Sequence, residues 1–522
     1  MSQRLDKVKL VKGTKGWLER MDPLDNIGVS TFSLIKEALE EGRSELAKDL
    51  AGYLFMPEAK LVHDAGCDWL WGWPNFFQKN YGEAAIPLAY KGVFERGWAS
   101  LPKFAWLKEK PVSKKRTEGA EARLLEYCLS SWMTHRMGGY DGLLGFSVRE
   151  YEDRLEMEWD PCTSGGVRFR GDIIDGTPSR LGEPYNLGVT QTPHTWSWSK
   201  TGVNLYCCHC CIVHEQREVD YRGYLNWVTT PPTADRPSRP CTWTFYKDQD
   251  DIPEEYYTRI GKTKPKRTSK PKEYKDVTKI LKVIRSEEYA TLHYAALNKA
   301  IDEGNKKEAL RALDELASKT KYLHTLYNVW FWAFMDYVAD KYGYNELYHA
   351  LRSVDYSFNP PPPPDAPVPT KATIPGAEER ARKAALWGRS DRSGPNNEGS
   401  VRMIDEPDKI IMELNPCGSG QTMVLGDPYL PGPAMGPPTN YAATKEAHPV
   451  SWGKMGIALF CTRCCVQEEM GSAARSGGYL TTIIERDEDY KKPCRWLFYK
   501  DLDDIPEKYY TRIGATKPKR NK

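Results

Sequence analysis

The densest chemistry in the chain is Cys207-Cys208-His209-Cys210-Cys211, five metal-binding side chains in a row. Much later the chain carries Cys461-Thr462-Arg463-Cys464-Cys465, so the element common to both runs is C-x-x-C-C. Two sulfurs spaced C-x-x-C reach one ion from a single turn of backbone. Upstream of each run lie a Pro-Cys-x-Ser-Gly turn and a histidine; the histidine stands at the same distance from the C-x-x-C in both halves, and the cysteine-to-histidine spacing differs by one residue. The spacing therefore predicts one ligand set of Cys162, His194, Cys207 and Cys210, and a second of Cys417, His448, Cys461 and Cys464. Three thiolates and an imidazole suit tetrahedral Zn2+, at about two ions per chain.

Two further cysteine pairs match between the halves, Cys211 with Cys465 and Cys241 with Cys494. Either could take the histidine's place and make an all-cysteine site, open to zinc or to an iron–sulfur cluster. Cluster-binding spacings do not match these, which favours zinc. Four protein ligands also describe a closed, structural centre, whereas a catalytic zinc keeps one position open.

Other residues could carry chemistry beside the metal. His63 and His324 fall on predicted helices, each followed six and eight residues later by tryptophans: Trp69 and Trp71, Trp330 and Trp332. The imidazoles suit proton transfer and the indoles suit the walls of a substrate pocket. Glu215 and Glu469, just after the C-x-x-C-C runs, are candidate general bases. The competing reading makes these histidines and tryptophans core residues and the glutamates a solvated face.

These elements must be positioned by a fold that the sequence states twice. Tyr246-Lys-Asp-Gln-Asp-Asp-Ile-Pro-Glu-Glu-Tyr-Tyr-Thr-Arg-Ile-Gly261 recurs, with two changes, as residues 499–514. Pro240-Cys241-Thr-Trp243 matches Pro493-Cys494-Arg-Trp496, and His194-Thr-Trp-Ser-Trp198 matches His448-Pro-Val-Ser-Trp452. The expected fold class is α+β: a tandem duplication of a small helical bundle followed by a β-rich zinc-binding domain, the copies in a pseudo-twofold arrangement.

Taken in order, residues 1–28 read as an arm, 29–150 as the first helical bundle and 151–261 as the first β-rich metal domain. A Lys/Pro/Thr-rich linker covers 262–285, and the second bundle 286–358. A Pro-rich flexible insertion covers 359–404, with some helix at 377–387. The second β-rich domain runs from 405 to 514 and a basic tail closes the chain. Phe32, Ile35, Ala38 and Leu39 recur at helical spacing before Gly42, and a further helix is expected to start at Pro57. A last helix of the first bundle is expected over 121–137. Leu155–Trp159 and Ile411–Leu414 read as strands.

Composition bounds the function. The formal net charge of +3 over 522 residues gives no field for nucleic-acid binding, and no stretch reaches the apolar length of a membrane span. Thirteen cysteines without a secretory leader read as thiols and metal ligands in a cytoplasmic protein. The expectation is a soluble zinc enzyme of hydrolase or lyase type. It would act on a small organic substrate in an aromatic-lined pocket between helical and metal domains. Alternatives are a zinc-stabilised binding or scaffold protein with basic tails, and zinc-thiolate group transfer. The chain would be a pseudo-dimer by itself, with further oligomerisation open.

Overall fold

The computed structural model describes residues 3–13, 16–96, 119–128, 146–285, 293–363, 365–367, 369–392, 401–426, 433, 435 and 441–519. Helices and antiparallel sheets are both present. The chain divides into two compact units, one from His63–Lys91 and Ala105–Ala295, the other from Met1–Val62, Gly92–Phe104 and Ala296–Lys522. No helix among the described residues is long and apolar enough to cross a membrane.

The first half supplies α1 (Thr31–Glu40), α2 (Ser44–Tyr53), α3 (Leu61–Tyr81), α4 (Ala85–Arg96) and α5 (Ala120–Cys128). The apolar stripe on α1 is buried as its spacing requires, and Gly42 follows with positive φ. No helix begins at Pro57. A π-helical segment, Leu54–Lys60, joins α2 to α3 with Pro57 inside it. Proline lacks the N–H of an α-helical turn and crowds the preceding one, and a widened turn relieves both. Residues 129–137 of the helix expected over 121–137 lie outside the described residues.

The second half supplies α6 (His293–Asp302), α7 (Lys306–Tyr342) and α8 (Tyr344–Tyr356). Ser318 stands where the first half has Pro57, and α7 runs unbroken for 37 residues. Its start is fixed by Asn305, whose side chain accepts from the Glu308 N–H at 3.2 Å.

The strands of the first sheet are β1 (Phe146–Glu150), β2 (Arg154–Trp159), β3 (Val228–Thr230), β4 (Cys241–Tyr246) and β5 (Lys282–Arg285), in the order β3-β4-β2-β1-β5. In β2 the burial alternates residue by residue, as expected for a strand with one face on the core. The second sheet is β6 (Val401–Asp405), β7 (Lys409–Leu414), β8 (Ile483–Glu485) and β9 (Cys494–Tyr499), in the order β8-β9-β7-β6. The shared strand order matters for one reason. Pairing of β2 with β4 sets Trp159 opposite Cys241, and pairing of β7 with β9 sets Leu414 opposite Cys494. Each Pro-Cys turn follows directly from the first of those strands, so two distant cysteines start from adjacent strand ends.

Three stretches are more ordered than their composition suggests. The linker ends in β5, which pairs with β1. In the Pro-rich insertion, Ala377–Trp387 is a three-turn helix, α9, lying on β7 and β9. Arg380 on α9 donates to the Tyr499 carbonyl at 2.6 Å, as Arg123 on α5 donates to the Tyr246 carbonyl. The N-terminal arm carries a two-stranded ribbon and a buried Arg20–Asp22 pair at 2.6 Å. Arg389, beyond α9, reaches Glu58 at 2.8 Å, the Ile27 carbonyl at 2.6 Å and the Tyr53 hydroxyl at 2.6 Å. Arginine's fixed fork of donors makes such a three-way tie possible.

Candidate metal centre

In the second half, Cys417, Cys461, Cys464 and Cys494 line one cavity of about 20 Å³, together with Ser419, Gly420 and Arg486. Each thiol comes from a different piece of local structure or a different point on it. Cys417 sits in the turn after β7, Cys494 opens β9, and Cys461 and Cys464 lie on the helical turn Leu459–Arg463 and its π-helical continuation. The π segment runs Cys464–Met470. Gly420 admits the sulfur: a Cβ there would stand 2.6 Å from Cys461 Sγ.

The electrostatics are those of crowded thiols. Burial pushes the Cys461 thiol up to about 12, with Arg486 opposing and Cys464 and Cys417 adding to the rise. Cys494 is pushed well above its ordinary value by burial and then by Cys417. Four sulfurs that disfavour one another's charge are what a divalent cation converts into a stable set. Arg486 is placed to offset the remaining negative charge, and Tyr490 donates its hydroxyl to Cys461 Sγ at 3.8 Å.

The first half repeats the frame. A Cβ on Gly165 would stand 2.5 Å from Cys207 Sγ, Cys162 lies 3.8 Å from the Ser164 hydroxyl, and the register holds Cys241 opposite Trp159. The twelve cysteines whose side chains are described are free thiols.

The histidines named with these cysteines sit elsewhere. His194 Nε2 is 2.7 Å from Glu83 and 2.8 Å from the Thr192 hydroxyl, and its ring stacks on Trp196. His448 Nε2 is 3.1 Å from Asn345 Oδ1, its Nδ1 accepts from the Val450 N–H, and it does not line the cavity. Both fix the start of a short turn that sends the tryptophan four residues on, Trp198 or Trp452, into the left-handed region at φ 55° and 57°. Cys211 and Cys465 belong to that turn as well, their thiols donating to the Thr195 and Pro449 carbonyls at 3.3 Å.

Glu215 and Glu469 are fully buried, and each accepts several hydrogen bonds. Glu469 receives Trp452 Nε1 at 2.8 Å, the Ile484 N–H at 2.9 Å and Arg512 at 2.7 and 2.9 Å. Glu215 receives the Thr229 N–H and, at 3.1 Å to each oxygen, Arg259. A carboxylate so engaged is a clasp between the short helix near the end of each half (Glu254–Thr258 or Glu507–Thr511) and the C-x-x-C-C helix. The recurrence of Tyr-Tyr-Thr-Arg in both halves was the signal for the arginine partner.

The tryptophans pack rather than line a described cavity. Trp71, Trp330 and Trp332 are fully buried; Trp71 Nε1 donates to the Gly188 carbonyl at 2.9 Å, and Trp332 stacks on Tyr441 at 5.0 Å. Trp69 is 5% exposed. The two helical histidines differ from each other. His63 Nδ1 is 3.0 Å from Asp64, its neighbour along α3, and its Nε2 is 3.6 Å from Cys67 Sγ one helical turn on. His324 has Thr325 and Asn328 at those positions. Its Nε2 lies 3.1 Å from Asn328 Nδ2 and 3.3 Å from the Ser419 hydroxyl, tying α7 to the Pro-Cys-x-Ser-Gly turn.

A separate cleft of about 540 Å³ opens beside the second-half centre, lined by Lys454, Arg486, Lys492, Arg495, Lys508 and Arg512 with only Glu485 and Asp487 as acids. Arg486 borders both spaces. The chain matches no protein-family model, no curated protein and no solved structure.

Proposed function

We propose that this chain is a duplicated zinc-thiolate protein, with one zinc ion in each β-rich domain as the organising centre of that domain. The ligands are Cys417, Cys461, Cys464 and Cys494 in the second half and their counterparts Cys162, Cys207, Cys210 and Cys241 in the first. The observation that carries this reading is the meeting of four thiols, distant in sequence, at one ion-sized cavity. Four thiolates around zinc form a closed shell, and the centre's work is to hold strand ends, turn and helix together. Metal analysis of protein purified without added metal tests it. Zinc is the expected metal. Iron with visible absorbance, or no bound metal, would overturn the reading.

A second reading is favoured by the basic cleft. An enzyme or binding site for a small organic substrate finds its support there, and the substrate class is then anionic: a carboxylate or phosphate ester among six cationic side chains, of which Arg512 is already held by Glu469, Lys492 by Asp487, Lys454 by Glu488 and Arg495 by Glu413. Isothermal titration with phosphate and with a dicarboxylate, repeated on Lys492→Ala/Arg495→Ala protein, tests this. Binding weakened by that double change supports the reading, and binding unaffected by it removes the cleft as the site.

A further inference from the structure

Ser419 follows Cys417 by two residues in the Pro-Cys-x-Ser-Gly turn and lines the same cavity as the four second-half thiols. Its hydroxyl also lies 3.3 Å from His324 Nε2 on α7. One short side chain therefore borders the metal cavity and meets an imidazole of the helical bundle.

Helix geometry explains why α7 reaches this turn. Lys321 and His324 are three residues apart and so share one helical face. Lys321 Nζ donates to the Gly418 carbonyl at 3.4 Å, while His324 reaches the next residue, Ser419. Both side chains are buried. The first half carries Lys60, His63 and Ser164 at the matching positions, and there the serine hydroxyl is 3.8 Å from Cys162 Sγ. The turn thus holds its serine within reach of its cysteine. What differs is the other side of the histidine. His63 bonds to Asp64 and Cys67, whereas the second half has Thr325 and Asn328 at those positions.

The donors and acceptors fit one order. Asn328 Nδ2 can only donate, and it stands 3.3 Å from His324 Nδ1 and 3.1 Å from Nε2. A metal-bound thiolate can only accept, so it draws the single proton of the serine hydroxyl. The serine oxygen then accepts from Nε2–H, and the Nδ1 lone pair accepts from Asn328. Asn328, His324, Ser419 and thiolate form one series in which every proton has a place. Groups that stand one bond behind a metal ligand hold it in orientation and contribute about 10–100-fold in metal affinity.

We infer that His324 is a positioning residue for the second-half zinc, acting through the Ser419 hydroxyl on the Cys417 thiolate. This rests on the four-thiolate reading and adds to it a hydrogen-bonded path from α7 to the metal. The path takes the histidine's recurrence beside each Pro-Cys-x-Ser-Gly turn as a support of the centre, with no bond from imidazole to ion.

The experiment measures zinc affinity by competition with a chromophoric chelator, on full-length Cys241→Ser protein, in which the second-half ion is read alone. His324→Ala and Ser419→Ala are each expected to weaken it by about 10–100-fold. Because one group acts through the other, the two changes together should cost no more than Ser419→Ala alone. His324→Gln, whose amide can still donate to the serine, should recover most of the loss. The thiolate-to-cobalt charge-transfer band of cobalt-loaded protein should move in His324→Ala and in Ser419→Ala protein. A histidine that only packs α7 would lower stability and leave that band in place. Unchanged affinity in either single variant, fully additive losses, or a band unmoved in both would overturn the inference. Ser419→Ala removes one hydroxyl and keeps the test valid should His324→Ala protein fail to fold. Absence of zinc from the unsubstituted protein would instead overturn the four-thiolate reading, and this inference with it.

Discussion

Gly420 stands so close to Cys461 that a Cβ on it would lie 2.6 Å from the sulfur, and Gly165 repeats the relation to Cys207 at 2.5 Å. In both halves the glycine closing the Pro-Cys-x-Ser-Gly turn gives the first C-x-x-C sulfur its place. Real side chains do not approach so closely, so a methyl group must displace the thiol. Gly420→Ala protein is expected to lose the second-half metal ion while its sheet persists. Zinc content with far-ultraviolet circular dichroism checks this, and an unchanged zinc content would contradict it.

The clasp of Glu469 by Arg512 and Trp452 predicts a stability role. Removing one partner of a buried ion pair typically costs about 3–5 kcal/mol, because the other charge is left uncompensated. Glu469→Gln should therefore lower the urea midpoint substantially, and Glu215→Gln likewise through Arg259. Equal midpoints for wild type and both variants would show that the carboxylates are not clasps.

Arg389 tests whether the stretch after the polyproline run belongs to the fold. Its three buried bonds join it to Glu58, Tyr53 and Ile27. Arg389→Ala leaves Glu58 buried with one cation fewer, at a cost of about 3 kcal/mol or more. Thermal unfolding should shift downward by several degrees. An unshifted transition would return this stretch to the status of a flexible insertion.

Much of this architecture was legible because matched segments recur in order. The C-x-x-C-C runs, the Pro-Cys turns and the strands Leu155–Trp159 and Ile411–Leu414 all follow from recurrence and period, whereas the helical form of the C-x-x-C-C runs does not. The fourth thiol did not, since both His194/His448 and Cys241/Cys494 recur, and spacing cannot tell a ligand from a turn-former. Strand register is what brings Cys494 beside the Pro-Cys turn, by setting it opposite Leu414. Helix α9 was legible over 377–387 despite its proline-rich approach, and its Gly376-Ala-Glu-Glu-Arg380 start echoes Gly119-Ala-Glu-Ala-Arg123.

His63 makes a pH prediction. Burial alone would lower its imidazole, but Cys67 and Asp64 outweigh that and raise it from 6.5 to about 9. A value raised on folding means the folded state holds the proton more tightly. The stabilisation is complete below pH 6.5 and is lost as pH rises through about 9. The stability difference between wild type and His63→Gln, from urea unfolding, should shrink across that window. A difference constant from pH 6.5 to about 9 would contradict the charged state.

The central claim, four thiols with Cys494 and Cys241 in place of the histidines, is tested most directly by zinc content per chain in two double variants measured side by side. His194→Gln/His448→Gln protein should retain its zinc, since those rings bond to Glu83 and Asn345. Cys241→Ser/Cys494→Ser protein should lose it. Loss in the histidine variant with retention in the cysteine variant would contradict the account.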